Sequence, residues 1–205
     1  MEQKIFSKFN FYDQLGYLMV GSIATIIFIL DVRYFFNKLI PVFNLDTFLV
    51  WFVIIYFIGH FIQGLANLFN KIPLINFLIK EAKVNFSESE EEILNEAKKY
   101  FKIRKQNNNK IWNFCYTLTL AKDITGNIQS FNAYYSLYRG WLVIFLLQSF
   151  FLLYFSIFNY SRINLSLLVI SILLSLVFYL RSKRFWQHLR NKVFETFVVV
   201  KTLNL

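Results

Sequence analysis

The sequence predicts an all-α integral membrane protein with four transmembrane helices. Both termini are expected in the cytoplasm, with a small, mainly helical cytoplasmic domain between the second and third spans. Three observations carry this. Hydrophobic residues make up 57% of the 205 positions and aromatic residues 20%, against the roughly 45–50% apolar content of a soluble domain. The excess is gathered into four runs that hold no Lys, Arg, Asp or Glu. The basic residues are divided very unequally between the segments joining those runs.

The runs are Leu15–Leu30, Thr47–Phe69, Gly140–Phe158 and Asn164–Leu180. A helix needs about 20 apolar residues to cross the hydrocarbon of a bilayer. The second and third runs meet that length, and the first and fourth gain it from flanking aromatics such as Phe11, Tyr12 and Tyr34. None alternates apolar and polar at period two, so barrel strands are not expected. Backbone groups in lipid must bond one another, which leaves helices. No small-residue cleavage site follows the first run, so it is read as an anchor that stays. By the same reading, residues 1–69 hold spans one and two, 70–139 the cytoplasmic domain, 140–180 spans three and four, and 181–205 a basic C-terminal helix.

Orientation follows from Lys and Arg. Segments 31–46 and 159–163 hold only Arg33, Lys38 and Arg162, which leaves 19 of the 22 basic residues on the other side. The positive-inside rule then puts the N-terminus, segment 70–139 and the C-terminus in the cytoplasm. In a bacterium that means a multi-pass inner-membrane protein. The net charge of +10 is explained mostly by this asymmetry. The single cysteine, Cys115, excludes an internal disulfide and is expected to be reduced.

Segment 70–139 is too long to be a bare connector. Ser87 and Glu90 have capping-box spacing, and a helix is expected from about Glu88 to Arg104, acidic at its start and basic at its end as the helix dipole favours. Asn107–Asn109 reads as a linker, and Ile111–Lys122 fits strand or helix. From Asn127 a helical pattern runs toward the third span. Beyond the fourth, Trp186, Leu189, Val193, Phe197 and Val200 form one stripe of a basic amphipathic helix.

Motifs for catalysis are missing: there is no phosphate loop, zinc motif or nucleophile elbow. The spans as delimited carry no acid for proton transfer. A non-enzyme without cofactor or metal is expected. Tyr56, His60, Gln63 and Asn67 fall at i, i+4, i+7 and i+11 in the second span and form one polar stripe. Such a stripe faces a water-filled path or bonds to a neighbouring helix. It is therefore either pore-lining or interhelical glue, the latter aided by close approach at Gly59 and Gly64. Gly21 and Thr25, and likewise Ser171 and Ser175, have the spacing of tight helix contacts. Gln148 is expected as a buried hydrogen-bond partner. A second candidate site is basic: Lys98, Lys99, Lys102, Arg104, Lys105 and Lys110, followed by Trp112. Cations for phosphates beside a ring for stacking suit a nucleotide or single-stranded oligonucleotide. The same charges also suit contact with anionic lipid headgroups.

Four spans around a basic insert, the helix FSESEEEILNEAKKYFKIRK and the tail RSKRFWQHLRNKVFETF together resemble the small transmembrane effectors of bacterial antiphage defence. The Hailong channel effectors come first and the Kiwa membrane subunit second. The resemblance lies in architecture and rests on no diagnostic motif. It implies an oligomeric ion channel whose cytoplasmic domain holds a single-stranded oligonucleotide made by a partner nucleotidyltransferase, with ligand loss opening the channel. A homo-oligomer, guessed as a tetramer, would supply the pore. The rival expectation is a non-conducting membrane scaffold that recruits a soluble defence partner.

Overall fold

In a computed structural model, residues 14–38, 47–69, 87–103, 107–123 and 125–203 are described. They form six helices, with no strand among the described residues. Helix α1 runs Gln14–Phe36, its first part (Gln14–Met19) wound as a π-helix. The others are α2 (Phe48–Phe69), α3 (Glu88–Tyr100), α4 (Asn108–Lys122), α5 (Asn127–Phe158) and α6 (Arg162–Thr202). Helices α1, α2, α5 and α6 are long and apolar enough to cross a membrane, with mean hydropathy of 2.0 to 2.5 over their most apolar windows. The chain has the make-up of a multi-pass membrane protein.

Local chemistry sets the helix ends. Helix α1 does not stop at Leu30; it continues to Phe36 and closes on Asn37, whose φ of 48° is left-handed, a conformation Asn tolerates better than most residues. Asp31 and Arg33 therefore lie within the helix, which corrects the expectation of spans without an acid. The capping box at α3 is present, with the Ser87 amide donating to Glu90 Oε2 at 2.7 Å. Helix α3 ends at Tyr100, earlier than expected, in a Schellman turn: Ile103 N–H donates to Lys98 O at 3.0 Å and Lys102 N–H to Lys99 O at 3.2 Å. The left-handed position of that turn is Lys102, with φ 56°, where glycine is the usual residue.

Asn107 caps α4 through its side chain, which accepts from Lys110 N–H at 3.0 Å. The ambiguous stretch Ile111–Lys122 is thereby helical, and the Asn run starts a helix rather than serving as a linker. Asp123 ties α4 to α5. Its Oδ2 accepts from Ile128 N–H at 2.7 Å and its Oδ1 from the Thr125 hydroxyl at 2.6 Å. Partial burial pushes the Asp123 carboxyl up, but the Thr125 hydroxyl and the two backbone amides outweigh it and hold the group below the ordinary carboxylate range.

Helices α5 and α6 form an antiparallel hairpin through Asn159–Ser161. Helix α6 has 41 residues, about 60 Å at 1.5 Å per residue. Two separate cores form, with α5 contributing to both and α6 to the second. One lies among the apolar spans: Val20 of α1, Ile62 and Ala66 of α2, and Leu137, Val143 and Ile144 of α5. The other, here called the head, joins Leu94 and Ala97 of α3, Ile111 and Cys115 of α4, Ile128 of α5, and Leu189, Val193, Phe194 and Phe197 of α6. The insert and the C-terminal helix are thus parts of one body.

In the span core, α1 and α2 meet backbone to backbone. A Cβ on Gly21 would collide with Ile55 O, and one on Gly59 with Tyr17 O. Gly64, expected to serve the same purpose, has open space beside it. The head is held from outside by a two-point ion pair, with Arg190 Nε 2.8 Å from Glu90 Oε1 and Arg190 Nη2 donating to Glu90 Oε2 at 2.9 Å. Glu90 caps α3 and anchors α6 with one carboxylate.

Candidate functional site

The polar stripe of α2 straddles the boundary between the buried and exposed faces of that helix. Positions 60 and 63 differ by about 60° around a helix of 3.6 residues per turn, enough to send them to different surroundings. Gln63 turns inward and is only 5% exposed. Its Nε2 donates to Gly16 O at 3.0 Å and to Ser136 O at 2.8 Å, joining α1, α2 and α5. Gly140 makes the room, since a Cβ there would stand 2.9 Å from Gln63 Nε2.

His60 turns outward and is exposed. One face of its ring lies on Tyr17, with centroids 3.7 Å apart and planes 17° apart. Tyr56 meets it edge-on at 4.5 Å. Val53, Phe57, His60, Gly64 and Asn67 share this exposed face. Asn67 also reaches across to α5, where its Oδ1 accepts from Arg139 Nη2 at 2.6 Å. The Arg139 guanidinium in turn stands over the Tyr135 ring, 5.3 Å from its centroid. Of the four stripe residues, Gln63 and Asn67 thus bond within the protomer, and His60 faces out with Tyr56 partly exposed beside it.

The basic cluster comes together in part. Lys98, Lys99 and Lys102 occupy the end of α3 and, with Asn95, line an open cleft of about 780 Å³. Lys98 Nζ donates to Asn95 Oδ1 at 3.3 Å. Lys110 is exposed in the first turn of α4. Arg104 and Lys105 lie outside the described residues. The ion pairs among the described residues are Arg190–Glu90, Lys192–Glu195 and Lys201–Glu96, and none involves these lysines. Glu96 stands near enough to Lys99 for the two charges to attract, and the negative end of the α3 dipole also faces the cluster.

Trp112 belongs elsewhere. It is half-buried, packed on the head core, stacked on Tyr116 with centroids 5.5 Å apart, and 5.4 Å from the Trp186 ring of α6. It faces α6 rather than the lysine cleft, because its position on α4 is one residue past the fully buried Ile111. Nearby Cys115 is wholly buried, and that burial pushes its thiol up to about 12, far from the thiolate that reactive cysteines need. Among the described residues no three His, Cys, Asp or Glu side chains gather into a metal site.

One polar contact in the spans escaped the sequence reading. Gln148, as expected, is a bond partner, and what it bonds is Asp31: its Nε2 donates to Asp31 Oδ1 at 2.9 Å between α5 and α1. The sequence signal was an acid one residue beyond the first apolar run, in a stretch that reads as loop when the run is cut at its first charge. Compared with known protein families, curated proteins and solved structures, the chain matches none of them.

Proposed function

We propose that this protein is a ligand-gated, ion-conducting membrane effector, with the head and both termini in the cytoplasm of a bacterium. The observation that carries the reading is the continuity of α5 and α6. Helix α5 belongs to both cores, and α6, which packs along α5 through its span, ends in the head core that α3 and its lysine cleft rest on. A ligand that ordered the head would bias the spans through two unbroken rods, because packed helices move as units. The clustered lysines, which enter none of the ion pairs among the described residues, suit a phosphate-rich ligand, a nucleotide or single-stranded oligonucleotide, made by a partner enzyme.

Within one protomer, Gln63, Val20 and Leu137 fill the space between the helices. Conduction therefore calls for several copies in a closed ring, four in our reading. The outward face of α2, with His60, Gly64 and Asn67, would line the path. The layout similar to antiphage channel effectors supports a role in defence.

The test is ion flux from liposomes holding the purified full chain, with and without short single-stranded DNA. Flux that responds to DNA in wild type, and not when Lys98, Lys99, Lys102 and Lys110 are all changed to Glu, is the expected result. Absence of flux under every condition sinks the channel. A second reading, a non-conducting scaffold that recruits a soluble defence partner through the head, is favoured by the bonding of Gln63 and Asn67 inside the protomer. It predicts no flux, and His60→Leu without effect on any membrane property.

A further inference from the structure

Between α1 and α5, away from the outward face of α2, lies a cavity of about 440 Å³. Its walls are largely apolar, including Ile27, Phe28, Ile62 and Phe151, and its polar lining is Asp31 and Gln148. Pockets of roughly 300–1,000 Å³ hold small organic molecules. The lining is ordered along the helix axis. Asp31 lies five residues from the end of α1 at Phe36, about 7.5 Å along the axis, and Ile27 and Phe28 sit a turn deeper into the span. Val32, Phe36 and Phe151 carry the apolar wall past Asp31 toward the helix end, and the stretch from Asp31 toward the middle of the span has the polarity of an amphiphile in a bilayer.

Asp31 is half-buried and enters none of the ion pairs among the described residues. Gln148 fixes one carboxylate oxygen. The nearest basic residue in sequence, Arg33, is exposed and about 200° around the helix from Asp31. A carboxylate drawn into an apolar wall calls for an opposite charge. A hard metal ion would want about six oxygen ligands, and this lining offers two polar side chains. An ammonium group needs fewer, and a carboxylate is its natural partner.

We propose that the Asp31–Gln148 cavity binds an amphiphilic ammonium, its cation on Asp31 and its single alkyl chain along Ile27, Phe28 and Ile62. This site is independent of the channel reading. The experiment is thermal unfolding of the full chain in neutral maltoside micelles, titrated with dodecyltrimethylammonium, with dodecanol and dodecyl sulfate as chain-matched controls. Wild type should show a saturable rise in Tm with the ammonium alone. Asp31→Asn keeps the side-chain size and an acceptor for Gln148, and should need about tenfold more ammonium for the same rise, the loss expected from about 1.4 kcal/mol of charge pairing. Ile27→Trp, which fills the cavity and leaves Asp31 in place, should also lose the response, and it decides the matter if Asp31→Asn does not fold. No saturable response in wild type, an equal response to dodecanol, or an undiminished response in the folded variants overturns the proposal.

Discussion

The span bundle and the head are stabilised in different ways, though they share two helices. In the head the buried residues are large: Phe197, Leu94, Ile111, Ile128 and Leu189 are all almost fully enclosed. In the spans Leu152 and Val143 are as deeply buried, but small and polar contacts are added that the head core lacks: Gly21, Gly59 and Gly140 let helices close, and Gln63 joins three of them. The difference follows from the solvent. In the proposed topology water drives apolar side chains into the head core. Lipid is as apolar as a leucine, so span helices associate through close packing and interhelical hydrogen bonds instead.

Substitutions can break that comparison in order of severity. Gly59→Val should have the largest effect, because its side chain would occupy the place of the Tyr17 carbonyl and backbone does not yield as a side chain can. We expect a loss above about 3 kcal/mol, seen as disappearance of the monodisperse peak in size-exclusion chromatography. Phe197→Ala, which empties the centre of the head, should cost about 3–5 kcal/mol. Limited proteolysis would then cut α3 and α4 while circular dichroism still reports the span helices. If the spans unfold too, the two cores are one cooperative unit.

Gln63→Leu keeps the side-chain volume and removes both interhelical hydrogen bonds. Such bonds in membranes are worth about 0.6 to 1.7 kcal/mol each, so a Tm drop of a few degrees in micelles is expected. A loss greater than that of Phe197→Ala would show that polar ties outweigh the head core. The smallest change is a gain. Lys102→Gly should stabilise the head by about 1 kcal/mol, because the left-handed position at the end of α3 no longer carries a Cβ. The same variant removes one cleft lysine. Under the channel reading it should therefore weaken oligonucleotide binding while raising Tm.

Sequence by itself determined that the chain is helical and holds four helices fit to span a membrane, because apolar run length and hydrogen bonding in lipid are local requirements. It also determined the α3 cap, since Ser87 and Glu90 act on their own backbone, and the buried stripe Leu189–Val193–Phe197, since helical period alone sorts those positions. Three matters were decided only by tertiary structure. Helices α3 and α4, the start of α5 and the end of α6 became one head because four helix faces could close a core no single one could close. The α2 stripe was divided between interior and surface by the neighbours α1 and α5, and periodicity cannot say where a neighbour stops. Asp31 became a residue of a span because α1 carries its helix past its first charge, and Gln148 on a distant segment stands where that carboxylate needs a donor.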